Sequence, residues 1–365
     1  MNKCRDISLH LVMTSRHLLS AIAIASRWEE EDHQIIIVDQ DLNDHIYLDA
    51  VLEYLKQSEL FSFSAGFYKS SRAGLWKSQH RRRIFRQLDE YLECNKPKKI
   101  FVGNDRRLEF QYIASRLKGS VESIYIDEGT ATYINGFGFI KITQFIDANF
   151  DAKLKKLVYG NWYSHPSMLG GSEYIDNAMV CFPDLVNEAI QNKGPAHLDP
   201  SWFRQSQIKE FLYFYAERLD LDVLEICSIQ NIFIVPHPMF VKAPSYDVAA
   251  FKCKIKEAMS QARIVGVKYH PSQYGDPLGL SEIGVIEMPR KLPLELFLPL
   301  MKIEEAWGDV SSAVLSVKWL CPNANVYAEV LGDSKELKFL EDLFSKVGVK
   351  IIDSRKSEGL IDNVK

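Results

Sequence analysis

Short apolar runs alternate with helix-length segments twice along this chain, and that double alternation is what most limits how it can fold. In the first half, Ile7 to Met13 reads as a strand, Leu18 to Trp28 as a helix with Ala and Ile on its buried face, and Gln34 to Asp39 as a second strand. A helix from Tyr47 to Gln57, a strand from Leu60 to Ser64 and a long helix from Trp76 to Leu92 follow. A strand from Ile100 to Asn104, a helix from Phe110 to Leu117 and a strand from Ile124 to Ile126 complete this half. The second half opens with a strand at Asn231 to Val235, a helix from Val248 to Ala262 and a strand from Ile264 to Tyr269. It continues through Val285 to Glu287, a short helix from Pro293, a helix after Ser312, a strand at Val326 and Tyr327, a closing helix from Ser334 to Phe344, and a strand-like run from Val349 to Ile352. Strand and helix in strict alternation predict parallel sheets covered on both faces.

At 365 residues the chain exceeds what one hydrophobic core normally serves, so two domains are expected. Between about 150 and 200 the period is lost, Gly, Pro, Asn and Trp collect, and Gly170-Gly171 marks a turn. The expected plan is a Rossmann-like domain over 1–200, a linker helix region over 201–230, a second Rossmann-like domain over 231–335 and a closing segment over 336–365. The fold class is α/β, with the two domains facing across a cleft that holds the ligand. Neither G-x-G-x-x-G nor G-x-x-x-x-G-K-[ST] occurs, which removes the commonest dinucleotide and P-loop readings.

Charged residues make up 25% of the chain and the net charge is −4, so no general attraction to nucleic acid is built in. Six cysteines at positions 4, 94, 181, 227, 253 and 321 show no CxxC spacing and no zinc-type partner. They read as reduced thiols of a cytoplasmic protein, and no metal site is expected. Met1 to Ile7 carries Lys3, Arg5 and Asp6 and lacks a long apolar stretch, so no secretory signal is visible. No apolar run is long enough for a membrane span.

Three short motifs sit where strands end: Asp127-Glu128-Gly129, His270-Pro271 and Ser311-Ser312. Each alone also reads as ordinary structure: a solvated acidic turn, a His-Pro turn, a serine N-cap. Their order, spacing and complementary chemistry resemble the bacterial sialyltransferases and polysialyltransferases of the two-domain GT-B kind. Leu292-Pro293-Leu294-Glu295 resembles the helix start whose glutamate meets the donor ribose in that group. Met13-Thr14-Ser15-Arg16-His17-Leu18-Leu19 resembles its first strand-to-helix loop.

The resemblance implies an inverting, metal-independent glycosyltransferase. It would move sialic acid or a related nonulosonic acid from its CMP donor to a glycan hydroxyl of a bacterial surface polysaccharide or lipooligosaccharide. No cofactor is implied beyond the CMP-sugar. Asp127 would be the general base, with Glu128 beside it, and His270 would meet the phosphate or protonate the leaving group. Ser311, Ser312, Glu295, Pro271 and Gly129 fall among the binding residues. His237-Pro238 is a second His-Pro after a strand; the spacing of 25 residues from His270 to Glu295 and 41 to Ser311 favours His270, and His237 is left lining the nucleotide. Two alternatives stand beside this reading: a GT-B-shaped nucleotide-sugar epimerase, and a catalytically idle glycan-binding protein. The basic run His80 to Arg86 reads first as a solvated helix face and second as a surface drawn to anionic lipid or polyanionic glycan, which would bring a peripheral contact with the cytoplasmic face of the inner membrane. The oligomeric state is not legible.

Overall fold

The computed structural model describes residues 5–40, 45–68, 75–135, 153–241, 246–331 and 335–352. The chain divides into two compact units, Met1–Leu219 and Asp220–Lys365.

Unit 1 runs β1 (Ile7–Val12), α1 (Ser15–Arg27), β2 (Asp32–Gln40), α2 (His45–Gln57), β3 (Phe63–Tyr68), α3 (Leu75–Cys94), β4 (Lys99–Val102), α4 (Leu108–Arg116) and β5 (Glu122–Ile126). A helix over 153–159 (α5) follows, then β6 (Asn177–Val180), α6 (Glu188–Gln191), β7 (Ala196–His197) and α7 (Ser206–Arg218). The seven strands pair in the order β3-β2-β1-β4-β5-β6-β7, every pair parallel. Leu9, Ile35 and Ile100 are fully enclosed at its centre, as continuous apolar strands require.

The expected alternation is present, with informative differences. α1 starts at Ser15 rather than Leu18, because the Thr14 hydroxyl accepts from the His17 N–H and caps the helix. β3 begins at Phe63 and runs on to Tyr68. The stretch that loses its period contains β6 and β7, of four and two residues, too short to leave a pattern. The expected linker over 201–230 is a correction: α7 belongs to unit 1, where Phe211 is buried against Tyr54 with ring centroids 5.1 Å apart, and the division falls after Leu219.

Unit 2 contains α8 (Val223–Ser228), β8 (Asn231–Ile234), α9 (Pro238–Val241), α10 (Val248–Ser260), β9 (Val265–Lys268), β10 (Ile286–Glu287), β11 (Glu305–Asp309), α11 (Ser312–Leu320), β12 (Asn325–Glu329), α12 (Lys335–Lys346) and β13 (Lys350–Ile352). Its six strands are all parallel, in the order β10-β9-β8-β11-β12-β13. The tail expected to close the chain is part of this sheet, since β13 pairs with β12; residues 353–365, and Cys4 at the other end, lie outside the described residues. Over six strands the two sheets share one order, to which unit 1 adds β7, and in each the direction of winding reverses once, between β1 and β4 and between β8 and β11. Ligands of open α/β sheets bind outside the carboxyl ends of the strands at such a reversal.

Candidate functional site

In unit 1 the loops after β1, β4 and β5 meet at the reversal point. The Thr14 cap puts Arg16 and His17 on the first turn of α1, and both are buried. Arg16 Nη2 lies 3.0 Å from Asp127 Oδ1 and donates to Cys181 Sγ at 3.0 Å. His17 pairs through Nε2 with Glu128 Oε2. The His17 ring lies so close over Gly103, just past β4, that a Cβ there would stand 1.8 Å from Nε2. Only glycine leaves room for the ring.

The two adjacent carboxylates have different surroundings. Asp127 is 0% exposed. Beyond Arg16, it accepts from the Gly129 N–H at 2.7 Å, the Cys181 N–H at 3.0 Å and the Tyr133 hydroxyl. Gly129 has φ of +82°, the left-handed region that favours glycine. Gly129, expected among the binding residues, is thus buried and engaged inside unit 1. The Glu128 side chain keeps 20% exposure, while its N–H is fixed to Thr132 Oγ1 at 2.8 Å. Asp127, expected as the base, holds the loop together; Glu128 is the carboxylate with access to solvent.

In unit 2 three adjacent strands, β9, β8 and β11, deliver His270, His237 and Ser311 to one rim. The imidazoles stand 4.7 Å apart, edge to face. Proline following each histidine has no N–H, so the first amide available is two residues on. Ser272 N–H reaches His270 Nδ1 at 3.2 Å and Met239 N–H reaches His237 Nδ1 at 3.1 Å. With Nδ1 accepting in both rings, each neutral imidazole carries its proton on Nε2. That N–H is the donor a phosphate oxygen would meet. Burial pulls His270 below its ordinary value, and His237 and Lys268 add to the effect. Pro271 is exposed between His270 and Ser272.

Ser311 is the N-cap residue of α11, without a side-chain cap bond. Its Oγ is enclosed beside the half-buried Asp309 carboxyl but reaches no hydrogen bond of full geometry. Ser312 is the first residue of the helix, the end at which helices favour anions. Glu295 lies in a three-residue 3₁₀ turn behind Pro293 and accepts from Ser316 Oγ at 3.0 Å, which joins it to α11. All the expected residues of unit 2 therefore gather around the ends of β8, β9 and β11.

Several participants were not assigned from sequence. Arg16 and His17 read in sequence only as part of the first strand-to-helix loop, although a basic pair directly after the first strand is a usable signal. Lys268 is hidden within a strand pattern: it is buried, pushed down to about 8 mainly by burial, and its Nζ donates to the carbonyls of Tyr269 at 3.0 Å and Arg290 at 2.8 Å. Among the described residues no group of three or more His, Cys, Asp or Glu is placed to hold a metal ion. Among the described residues no helix is long and apolar enough to cross a membrane.

No protein-family model matches the chain, and no curated protein matches it. Solved structures do match, over almost its full length. The UDP-GlcNAc 2-epimerase from Methanocaldococcus jannaschii aligns with a TM-score of 0.52 and 10% identity, covering 99% of this chain and 93% of its own. A further UDP-N-acetylglucosamine 2-epimerase aligns with a TM-score of 0.50 and 12% identity, over 99% and 88%. The fold is of the GT-B type. At these identities the likeness speaks for the fold, and the site has to be argued from its own residues.

Proposed function

We propose that the protein is an enzyme acting on nucleotide-activated sugars, with unit 2 holding the nucleotide phosphate and unit 1 supplying the base. The observation that carries this is the convergence of His270, His237 and Ser311 at the ends of three adjacent parallel strands. Two Nε2–H donors, a serine hydroxyl and a helix start are what a departing phosphate needs. Glu128 is the proposed base. It is accessible, and His17 holds its carboxylate in place.

Two chemistries fit these parts. In epimerisation, a base takes the proton from a sugar carbon and an acid returns one on the other face, with no acceptor required. The likeness of the whole chain to two UDP-GlcNAc 2-epimerases supports this reading. In transfer, Glu128 takes the proton of an acceptor hydroxyl as its oxygen bonds to the anomeric carbon; the bond from that carbon to the phosphate oxygen breaks, and the electron pair leaves with the nucleotide. The order and spacing of Asp127-Glu128-Gly129, His270-Pro271, Glu295 and Ser311-Ser312 support this second reading, with a CMP-nonulosonate as donor. The fold comparison weighs on the side of epimerisation, the motifs on the side of transfer.

One assay separates them. The protein is incubated with UDP-N-acetylglucosamine alone, and with CMP-sialic acid in the presence and absence of glycan acceptors, and the products are resolved. A new sugar epimer from the UDP-sugar alone selects epimerisation. Release of CMP that depends on acceptor selects transfer. No change in either substrate, with no shift in melting temperature from CMP or UMP, overturns the enzyme reading.

A further inference from the structure

The basic run of α3 is divided by the structure into two kinds of residue. Arg81 is tied to Glu109 at 2.6 Å, and His80 Nε2 meets the Tyr68 carbonyl at 2.9 Å. Lys77, Arg82, Arg83 and Arg86 are exposed. From Trp76 to Leu88 the sequence contains no Asp or Glu. Trp76, in the first turn, is 59% exposed.

α5 lies against this helix: the Phe85 ring meets Tyr159 at 5.8 Å and Trp162 at 5.7 Å. Its apolar residues fall at i, i+3 and i+4 and face outward, with Leu154 48%, Leu157 84% and Val158 36% exposed. The remaining positions carry Lys153, Lys155 and Lys156, again without an acid from 153 to 160. An outward-facing apolar stripe on a short basic helix, beside a second helix with exposed cations and a tryptophan, is costly in water and suited to a lipid–water boundary. The first turns of α3 also sit at the carboxyl end of β3, through His80 and Tyr68, which is the rim of unit 1 that carries Glu128.

We propose that α3 and α5 form a docking face for an anionic phospholipid bilayer. Leu154, Leu157, Val158 and Trp76 enter the interface, and Lys77, Arg82, Arg83, Arg86, Lys153 and Lys156 meet the lipid phosphates, while Lys155 lies over the Tyr163 ring. A polyanionic glycan would use the cations but has no use for the exposed apolar stripe, so the bilayer accounts for more of what is seen.

The test is co-sedimentation of the full chain with vesicles of phosphatidylglycerol mixed with phosphatidylcholine, against vesicles of phosphatidylcholine alone. Binding is expected to the anionic vesicles only, and to fall as salt is raised. Each exposed cation near a charged surface contributes about fivefold, so the combined change Arg82→Ser, Arg83→Ser and Arg86→Ser should weaken binding on the order of a hundredfold. Leu154→Ser with Leu157→Ser should lose binding at low salt as well, about tenfold or more, with melting temperature unchanged; Trp76→Gln is a second apolar variant should the pair disturb folding. Three results overturn the proposal: equal binding to neutral vesicles, retention of a soluble polyanion that the leucine changes leave intact in a protein that ignores vesicles, or a dimer in light scattering that the leucine changes dissolve.

Discussion

Arg16 and Asp127, 111 positions apart in sequence, form a buried ion pair at 3.0 Å in which neither side chain has appreciable access to solvent. The pair fastens the loop after β1 to the loop after β5, and in doing so it sets His17 against Glu128. Asp127, the base that the resemblance implies, is thus the enclosed carboxylate of the acidic motif, and Glu128, the proposed base, is the one with exposure to solvent. Removal of one partner from a buried pair leaves an uncompensated charge, which costs about 3–5 kcal/mol. Asp127→Asn is therefore expected to lower the melting temperature sharply. Glu128→Gln should melt near the parent and lose roughly 10²–10⁴-fold in turnover, the range for a positioned base. Thermal melts and turnover on the same preparations decide this; a stable but inactive Asp127→Asn protein beside an active Glu128→Gln protein would return the base to Asp127.

Gly103 offers an independent test of the same arrangement. A methyl group at that position would overlap the His17 ring, and the ring, being buried, has little room to give. Gly103→Ala is expected to displace His17 from Glu128 and to reduce turnover at least tenfold, as a small misplacement of a positioned group does. Substrate affinity should change less, because the proposed nucleotide phosphate site is in unit 2. Full activity in Gly103→Ala would mean that His17 does not hold the base.

How much of this was legible follows from where each signal lies. The motifs at Asp127 and His270 stand out because each follows a compact apolar run, and Ser311-Ser312 stands out because it opens one. β11 was not legible, since Glu305-Ala306-Trp307-Gly308-Asp309 has neither a continuous apolar run nor a regular polar–apolar alternation. Its burial is decided by its neighbours: Gly308 packs so closely on Val314 that a Cβ would stand 2.6 Å from a methyl carbon. The distinction between Asp127 and Glu128 was illegible for another reason. It depends on Cys181 and Arg16 converging from distant positions on a carboxylate that the nearby Tyr133 also meets, and local sequence carries no trace of the distant pair. Lys268 escaped notice because a lysine closing a strand reads as an exposed end, whereas two carbonyls hold its ammonium inside.

Asp105 predicts a pH effect on stability. Burial raises its carboxyl to about 6, above its ordinary 3.8, so between those values the folded protein holds a proton that the unfolded chain has released. Stability must then fall as pH rises through this window, and the loss is complete above it. A shift of this size corresponds to about 3 kcal/mol. The stability difference between the parent and Asp105→Asn, from urea unfolding at pH 4, 5, 6 and 7, should move against the parent by that order as pH increases. A difference that stays flat would mean that Asp105 is not held protonated in the fold.

The paired His-Pro turns lead to a prediction about protons taken up with the nucleotide. His270 lies below its ordinary value in the free protein, first because of burial and then because of His237 and Lys268, so near neutral pH it is mostly uncharged. A nucleotide phosphate against Nε2 favours the charged imidazolium and raises that value. Binding then draws a proton from solvent, and affinity for the pyrimidine monophosphate, CMP or UMP, must tighten as pH falls from 8 towards 6. Calorimetry in buffers of different ionisation enthalpy measures the uptake directly. His270→Ala should abolish most of the uptake and flatten the pH dependence, and if His270 also meets the charge that develops on the departing phosphate, turnover should fall on the order of 10²-fold or more, beyond the loss in affinity. His237→Ala should leave the turnover step closer to normal while weakening nucleotide binding, because its ring is the more exposed of the two and Met239 holds it in the same tautomer. If proton uptake persists in His270→Ala and vanishes in His237→Ala, the two histidines exchange roles. If both variants bind nucleotide with unaltered affinity and pH dependence, the rim of unit 2 is not the phosphate site.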